Sequence, residues 1–154
     1  MRANNNQGFT LIETLVYLAL FALMIGGLVV AAYMLFESSD RNQTKAILQE
    51  EENFIMAKIM RALDDASAAS VSGSTLSIVK YDATSVSIHT SGGDVYLDGN
   101  RLNNANVTIG NLSFVHSGGG SDPESVEIDL TATAKTPDGM TITQSASTTR
   151  SLRK

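Results

Sequence analysis

Two positions near the start of the chain could take part in specific chemistry. Gly8 follows a short polar stretch, residues 1–7, and stands immediately before an abrupt apolar onset at Phe9. Because glycine has no side chain beyond hydrogen, its backbone is open to the approach of a protease. Glu13 places a carboxylate among apolar residues, and burying it without a partner costs on the order of a few kcal/mol. The sequence therefore predicts a processing position at Gly8 and a positively charged partner for Glu13.

A second interpretation of Glu13 depends on local helix chemistry alone. Thr10 and Glu13 have the Thr-x-x-Glu spacing of a capping box, in which the threonine oxygen accepts a hydrogen bond from the backbone N–H three residues later. An acidic residue in the first turn also interacts favourably with the helix dipole. Both interpretations stay open, because a capping role before processing is compatible with charge pairing afterwards.

These residues are followed by an apolar segment of membrane-spanning length. From Leu15 to Phe36 every residue is apolar except Gly26 and Gly27. A helix of this length reaches about 33 Å, whereas the hydrocarbon core of a bilayer is about 30 Å thick. A secretory signal would have a shorter apolar region with its cleavage site after it. The short leader, positively charged at Arg2, predicts a cytoplasmic N-terminus and an extracytoplasmic C-terminal domain.

The helical pattern continues beyond the apolar segment and becomes amphipathic. Leu48, Ile55, Ile59 and Leu63 recur at four- and seven-residue intervals, which predicts one face packed on a core. No proline interrupts the pattern. We therefore predict one helix of about 60 residues, with its amphipathic half at residues 37–72 and its end at Ser72, Gly73 and Ser74.

From residue 73 onward the periodicity is that of β-strands separated by turns. The predicted strands are Leu76–Lys80, Val86–His89, Val95–Leu97, Val107–Ile109, Leu112–His116, Val126–Ala134 and Met140–Ser147. Strict alternation after Val126 predicts one buried and one solvated face. The fold class is α+β: a long N-terminal helix, transmembrane in its first half and amphipathic in its second, packed on a C-terminal antiparallel β-sheet.

The string Gly8-Phe9-Thr10-Leu11-Ile12-Glu13, directly before the apolar run, resembles the processing site of type IV prepilins and pseudopilins. The resemblance implies that prepilin peptidase cuts between Gly8 and Phe9 and that Phe9 is then N-methylated. It also implies that Glu13 of one subunit pairs with the amino group of Phe9 on a neighbour and so fixes the axial register. A looser similarity, at residues 49–54 and 149–153, is to minor pilins and minor pseudopilins.

The resemblance also implies a division of the chain and a set of partners. Residues 1–8 form the removed leader, 9–36 the transmembrane and filament-core helix, 37–72 the amphipathic half, and 73–154 the β domain. The implied partners are other pilin or pseudopilin subunits, prepilin peptidase, a membrane assembly platform, and the lipid bilayer before assembly. The implied location is a single-pass membrane protein that enters a surface or periplasmic filament.

Gly26 and Gly27 lie within the apolar helix, where each costs about 1 kcal/mol relative to alanine. One interpretation is close packing between helices, which small residues permit in membranes. The other, by resemblance, is a point where the helix melts during filament assembly. The sequence leaves the two open.

Composition and spacing exclude several other functions. The net charge of −5 disfavours nucleic-acid binding, and only the C-terminal Arg150, Arg153 and Lys154 keep DNA as a partner. The chain has no cysteine, and His89 and His116 have no second ligand at metal-like spacing. We predict no metal, no cofactor and no enzymatic activity. The alternative to a filament subunit is a membrane-anchored module that binds a secreted protein, a surface or incoming DNA.

Overall fold

The structure is a computed structural model that describes residues 10–119 and 122–152. These residues fall into two compact units that divide between Ser39 and Asp40. One helix, α1, runs from Leu11 to Asp64 and contributes to both units. The first unit contains only its N-terminal part, whereas the second contains its C-terminal part and all the strands.

Eight strands follow the helix. Their bounds are β1 Ala66–Ser72, β2 Thr75–Lys80, β3 Ser85–Ser91, β4 Asp94–Leu97, β5 Asn100–Arg101, β6 Val107–Gly119, β7 Asp122–Lys135 and β8 Thr141–Ser151. They form two antiparallel sheets, one with the order β1-β2-β3-β4-β5 and one with the order β6-β7-β8. The α+β class is therefore confirmed, but the single predicted sheet is corrected to two.

One hydrophobic core joins the helix and both sheets. The helix contributes residues at three- and four-residue spacing, among them Leu48, Ile55 and Ile59, which are fully buried. Sheet residues from both groups of strands belong to the same cluster: Leu76, Ile78, Ile88, Val95, Val107, Ile109, Leu112, Phe114, Val126, Ile128, Leu130, Ala132 and Ala134. The predicted alternation in β7 is confirmed, since its apolar residues from Val126 onward are the buried ones.

The predicted end of the helix is wrong. The helix stops at Asp64, and the stretch that was assigned to its last turns, Ala66–Ser72, is strand β1 paired with β2. Serines in this stretch favour non-helical hydrogen bonds to backbone groups. Ser67 Oγ donates to the carbonyl oxygen of Val79 at 2.9 Å, across the sheet. Gly73 then supplies the positive φ of 61° that closes the β1-β2 hairpin.

The two predicted strands Val107–Ile109 and Leu112–His116 are one strand, β6. The interruption between them is a β-bulge: Ile109 pairs with Ala132 and Asn111 with Thr131, which leaves Gly110 as the extra residue. A bulge keeps the ladder continuous while it increases the local twist. A short apolar pattern broken by glycine therefore gave the wrong number of strands.

Asn103 connects the two sheets through a buried hydrogen-bond network. Its Oδ1 accepts the backbone N–H of Val95 at 2.9 Å, and its Nδ2 donates to the carbonyl oxygen of Val107 at 2.7 Å. Nδ2 also donates to Asp94 Oδ1 at 3.0 Å, and that carboxylate pairs with Arg101 at 2.9 Å. One side chain thus satisfies backbone groups of both β4 and β6.

Replacement of Asn103 by alanine should destabilise the folded unit. The change leaves the buried groups of Val95 and Val107 without these partners, so we expect a loss of about 2–4 kcal/mol in the free energy of unfolding. Thermal unfolding of the full chain in detergent, followed by circular dichroism, measures the effect. Asn100→Ala, at an exposed position of strand β5, is the control and should change stability by less than about 0.5 kcal/mol. Equal effects of the two variants would contradict the role of Asn103.

Glu52 is a carboxyl group on the buried face of α1. It is only 6% exposed, and its Oε1 has no hydrogen-bond partner among the described residues. Burial raises the pKa of this carboxyl group. The pKa of Glu52 in the folded state lies above its pKa in the unfolded chain. Between these two pKa values the folded protein therefore binds more protons than the unfolded chain does. Stability is therefore highest below the unfolded pKa and falls as pH rises through the folded pKa.

Glu52→Gln should make the protein more stable at pH 7 by about 1 kcal/mol or more, because the neutral amide avoids the desolvation of a carboxylate. The gain should disappear below about pH 4, where the wild-type carboxyl group is protonated. Unfolding measured as a function of pH for both chains tests this, with the exposed Glu50→Gln as the matched control. A variant that is less stable than wild type at neutral pH would contradict the assignment.

Candidate membrane-anchoring and assembly segment

Thr10 caps the N-terminus of α1. Its Oγ1 accepts the backbone N–H of Glu13 at 3.3 Å, and its carbonyl oxygen accepts the backbone N–H of Thr14 at 3.2 Å. The first of these bonds is the threonine half of the predicted capping box. Thr10 therefore fixes where the helix begins and places Glu13 in its first turn.

The carboxylate of Glu13 is partly exposed and has one described side-chain partner. Tyr17 Oη donates to Glu13 Oε1 at 3.4 Å. Among residues 10–119 and 122–152, no lysine or arginine forms an ion pair with Glu13. The sequence interpretation missed Tyr17, although its i,i+4 spacing from Glu13 could have indicated the contact. The predicted cationic partner of Glu13 stays a prediction.

The apolar part of α1 is exposed along its whole length. Exposed fractions range from 80% at Leu11 to 43% at Ile25, and none of the most apolar stretch is buried in protein. This is the one helix in the described part of the chain that is long and apolar enough to cross a membrane. Each large apolar side chain left in water costs about 1.5–3 kcal/mol relative to burial. The segment therefore requires lipid or other protein around it.

Gly26 and Gly27 are helical, and α1 is unbroken through them. A Cβ atom built on either residue would meet nothing within 4 Å. The surface beside the two glycines is therefore open to the close approach of another helix. Close packing and melting on assembly both stay predictions.

The remaining predicted site residues are either outside the described residues or in the folded unit. Gly8, Phe9, Arg153 and Lys154 fall outside the described residues. Arg150, in β8, pairs with Asp64 at the end of α1, so its charge is already partly neutralised. No sequence pattern indicated this pair, because the two residues are 86 positions apart.

The two histidines have separate surroundings. His89 stacks on the ring of Tyr96 with centroids 5.5 Å apart. His116 Nε2 lies 3.7 Å from Glu124 Oε2. Within the described ranges, no three side chains of the metal-binding types come together in a group that could hold an ion.

Comparison with protein families adds to this geometry. A family model described as "Prokaryotic N-terminal methylation motif" matches residues 3–29. The chain carries a prokaryotic N-terminal methylation motif. The match includes Gly8, Phe9, Glu13 and both helix glycines, so the motif coincides with the capped, exposed start of α1. The methylation motif and the apolar helix together fit a membrane-anchored, type IV pilin-like subunit and suggest assembly with other pilin subunits.

No curated protein and no solved structure matches the chain. The matched motif ends at residue 29, so it does not include the folded unit from Asp40 onward.

The apolar segment generates a prediction about membrane integration. Leu23→Lys combined with Leu28→Lys places two charges near the middle of the segment, each of which costs about 2.5–3.5 kcal/mol at a helix centre. We expect the doubly substituted chain to leave membrane fractions on alkaline carbonate extraction, whereas wild type remains. Gln43→Lys, beyond the apolar run, is the control and should remain with the membrane. Retention of the double variant would contradict membrane anchoring by this segment.

Proposed function

We propose that this protein is a structural subunit of a type IV pilus or a pseudopilus, and not an enzyme. The observation that carries the proposal is a methylation motif that spans the start of α1, where the large apolar side chains from Leu11 to Phe36 are exposed. A solitary membrane anchor needs the apolar surface but has no use for processing at its cytoplasmic edge. A filament subunit needs both, because processing creates the amino group with which the helices can pair.

The position of Glu13 supports the proposed assembly. It is the only acidic residue in α1 before Glu37, and it lies in the first turn of the helix. In a bundle of such helices its carboxylate loses water, and the hydroxyl of Tyr17 is a weak, neutral partner. A processed Phe9 amino group on a neighbouring subunit supplies the missing positive charge. Only one axial stagger brings the two charges together, so the pair also sets the register.

The proposed topology places the folded unit outside the cytoplasmic membrane. Arg2 in the leader favours a cytoplasmic N-terminus. Before assembly the apolar segment lies in the bilayer, and afterwards it lies in the core of a surface or periplasmic filament. Prepilin peptidase and a membrane assembly platform act on the chain in turn.

We further propose that the chain is a minor subunit. Its sequence has no cysteine and so has no disulfide-closed C-terminal loop. The loose similarity of residues 49–54 and 149–153 to minor pilins agrees with this. Quantitative mass spectrometry of purified filaments counts its copies, and filaments composed mainly of this chain would refute the minor assignment.

Intact-mass measurement of the membrane-extracted chain tests the function. Wild type should lack residues 1–8 and carry one added methyl group on Phe9. Gly8→Leu should keep its full mass, because a bulky side chain obstructs the peptidase.

Glu13→Gln separates processing from assembly. The variant keeps the size of the side chain but loses its charge, so it should be processed normally and yet be depleted at least about tenfold in sheared filaments. Tyr17→Phe, which removes the hydroxyl that contacts Glu13, is the matched control and should enter filaments. Normal incorporation of Glu13→Gln would contradict the charge-pairing mechanism. An unprocessed wild-type chain would contradict the proposed function as a whole.

A further inference from the structure

The folded unit contains a groove that neither the methylation motif nor the apolar segment explains. It lies between the helix residues Asp40–Ile47 and one end of the three-stranded sheet and has a volume of about 630 Å³. This is within the range of about 300–1,000 Å³ that is usual for small-molecule pockets. The strand residues that line it come from the start of β6, the end of β7 and the start of β8.

Threonine hydroxyls dominate the polar lining of the groove. Three of them donate their protons to backbone carbonyl oxygens: Thr44 to Asp40 at 2.9 Å, Thr133 to Thr108 at 3.2 Å, and Thr136 to Met140 at 3.0 Å. A hydroxyl group that donates a hydrogen bond can still accept one through the lone pairs of its oxygen. These three groups are therefore fixed as acceptors, which suits a ligand rich in O–H donors.

Other polar groups of the lining are uncommitted. Among the described residues, the side chains of Asp40, Gln43, Lys135 and Thr141 form no hydrogen bond or ion pair. They provide a carboxylate acceptor, an amide, an ammonium donor and a hydroxyl. Hydroxyl-rich molecules need such a mixture, because every hydroxyl both donates and accepts.

The charge balance of the groove argues for a neutral ligand. Asp40 and Lys135 are the charged residues of its lining, one of each sign. A phosphate site would need clustered cations or a helix N-terminus, and a calcium site would need several oxygen ligands including more than one carboxylate. Small apolar groups, such as Ala105, Ala134 and Pro137, alternate with the polar ones and can pack against C–H surfaces.

We propose that this groove binds a neutral, hydroxyl-rich ligand, namely a carbohydrate, either free or as the headgroup of a glycolipid. The lipid source is within reach, because Asp40 follows the end of the apolar run at Phe36 by four residues. Four residues of any conformation extend at most about 14 Å. The chemistry of the groove is the same for both sources, and the experiment separates them.

Binding is measured on the full chain labelled at threonine methyl groups, by NMR, in a phosphocholine detergent or in phosphatidylcholine nanodiscs that contain no sugar. The first arm titrates maltotriose. The second compares nanodiscs with and without monoglucosyl diacylglycerol. Shifts of the groove threonines in both arms indicate a general carbohydrate site, and shifts with the glucolipid alone indicate a headgroup site. Either result supports the proposal.

Two variants and a matched control locate the site. Asp40→Ala and Thr141→Val should each weaken binding by at least about tenfold, since each removes a hydrogen-bonding group from the lining. Thr143→Val makes the same change two residues along β8 and outside the groove, and it should bind as wild type does. Circular dichroism of each variant verifies that β8 is intact.

Three outcomes would overturn the proposal. The first is the absence of shifts with either sugar source. The second is equal weakening by Thr141→Val and Thr143→Val. The third is a shift of the groove threonines with protein concentration alone, which would mean that a second copy of the chain occupies the groove. None of these outcomes affects the filament proposal, which depends on the mass of the processed chain and on Glu13.

Discussion

The exposed apolar surface of α1 is the constraint that determines which surroundings the chain requires. Side chains from Leu11 to Phe36 are open to their surroundings, and none of the most apolar stretch is covered by the chain itself. Each large apolar side chain left in water costs about 1.5–3 kcal/mol relative to burial, so exposure of the whole segment to water is strongly unfavourable. The segment therefore requires lipid or other protein around it at every stage. A subunit that moves directly from a bilayer into a helix bundle satisfies this requirement.

At the N-terminal end of that surface, Thr10 and Glu13 have different roles in the first turn of the helix. Thr10 accepts the backbone N–H of Glu13 and so starts the helix, while the carboxylate remains available apart from its contact with Tyr17. The capping and charge-pairing interpretations are therefore not exclusive. The cap uses the backbone of Glu13, whereas the proposed assembly contact uses its side chain.

The sequence predicted features whose cause is local. The spanning segment follows from an unbroken apolar run, and the buried face of β7 follows from strict alternation after Val126. Predictions from the sequence were wrong or incomplete where tertiary contacts determine the structure. Ala66–Ser72 is compatible with a helix until β2 is present to pair with it. The Arg150–Asp64 pair and the Asn103 network join residues that no periodicity relates. The groove was also missed, because its lining comes from four separate stretches of chain.

The helix face used by the folded core begins at Thr44 and continues to Leu63, so it shares no residue with the apolar segment that ends at Phe36. The core of the folded unit therefore contains no side chain of the apolar segment. Substitutions in the apolar segment can consequently leave the core of the folded unit unchanged, and substitutions in that core can leave the apolar segment unchanged. The family match at residues 3–29 covers part of the apolar segment, whereas the folded unit from Asp40 onward lies wholly outside that match.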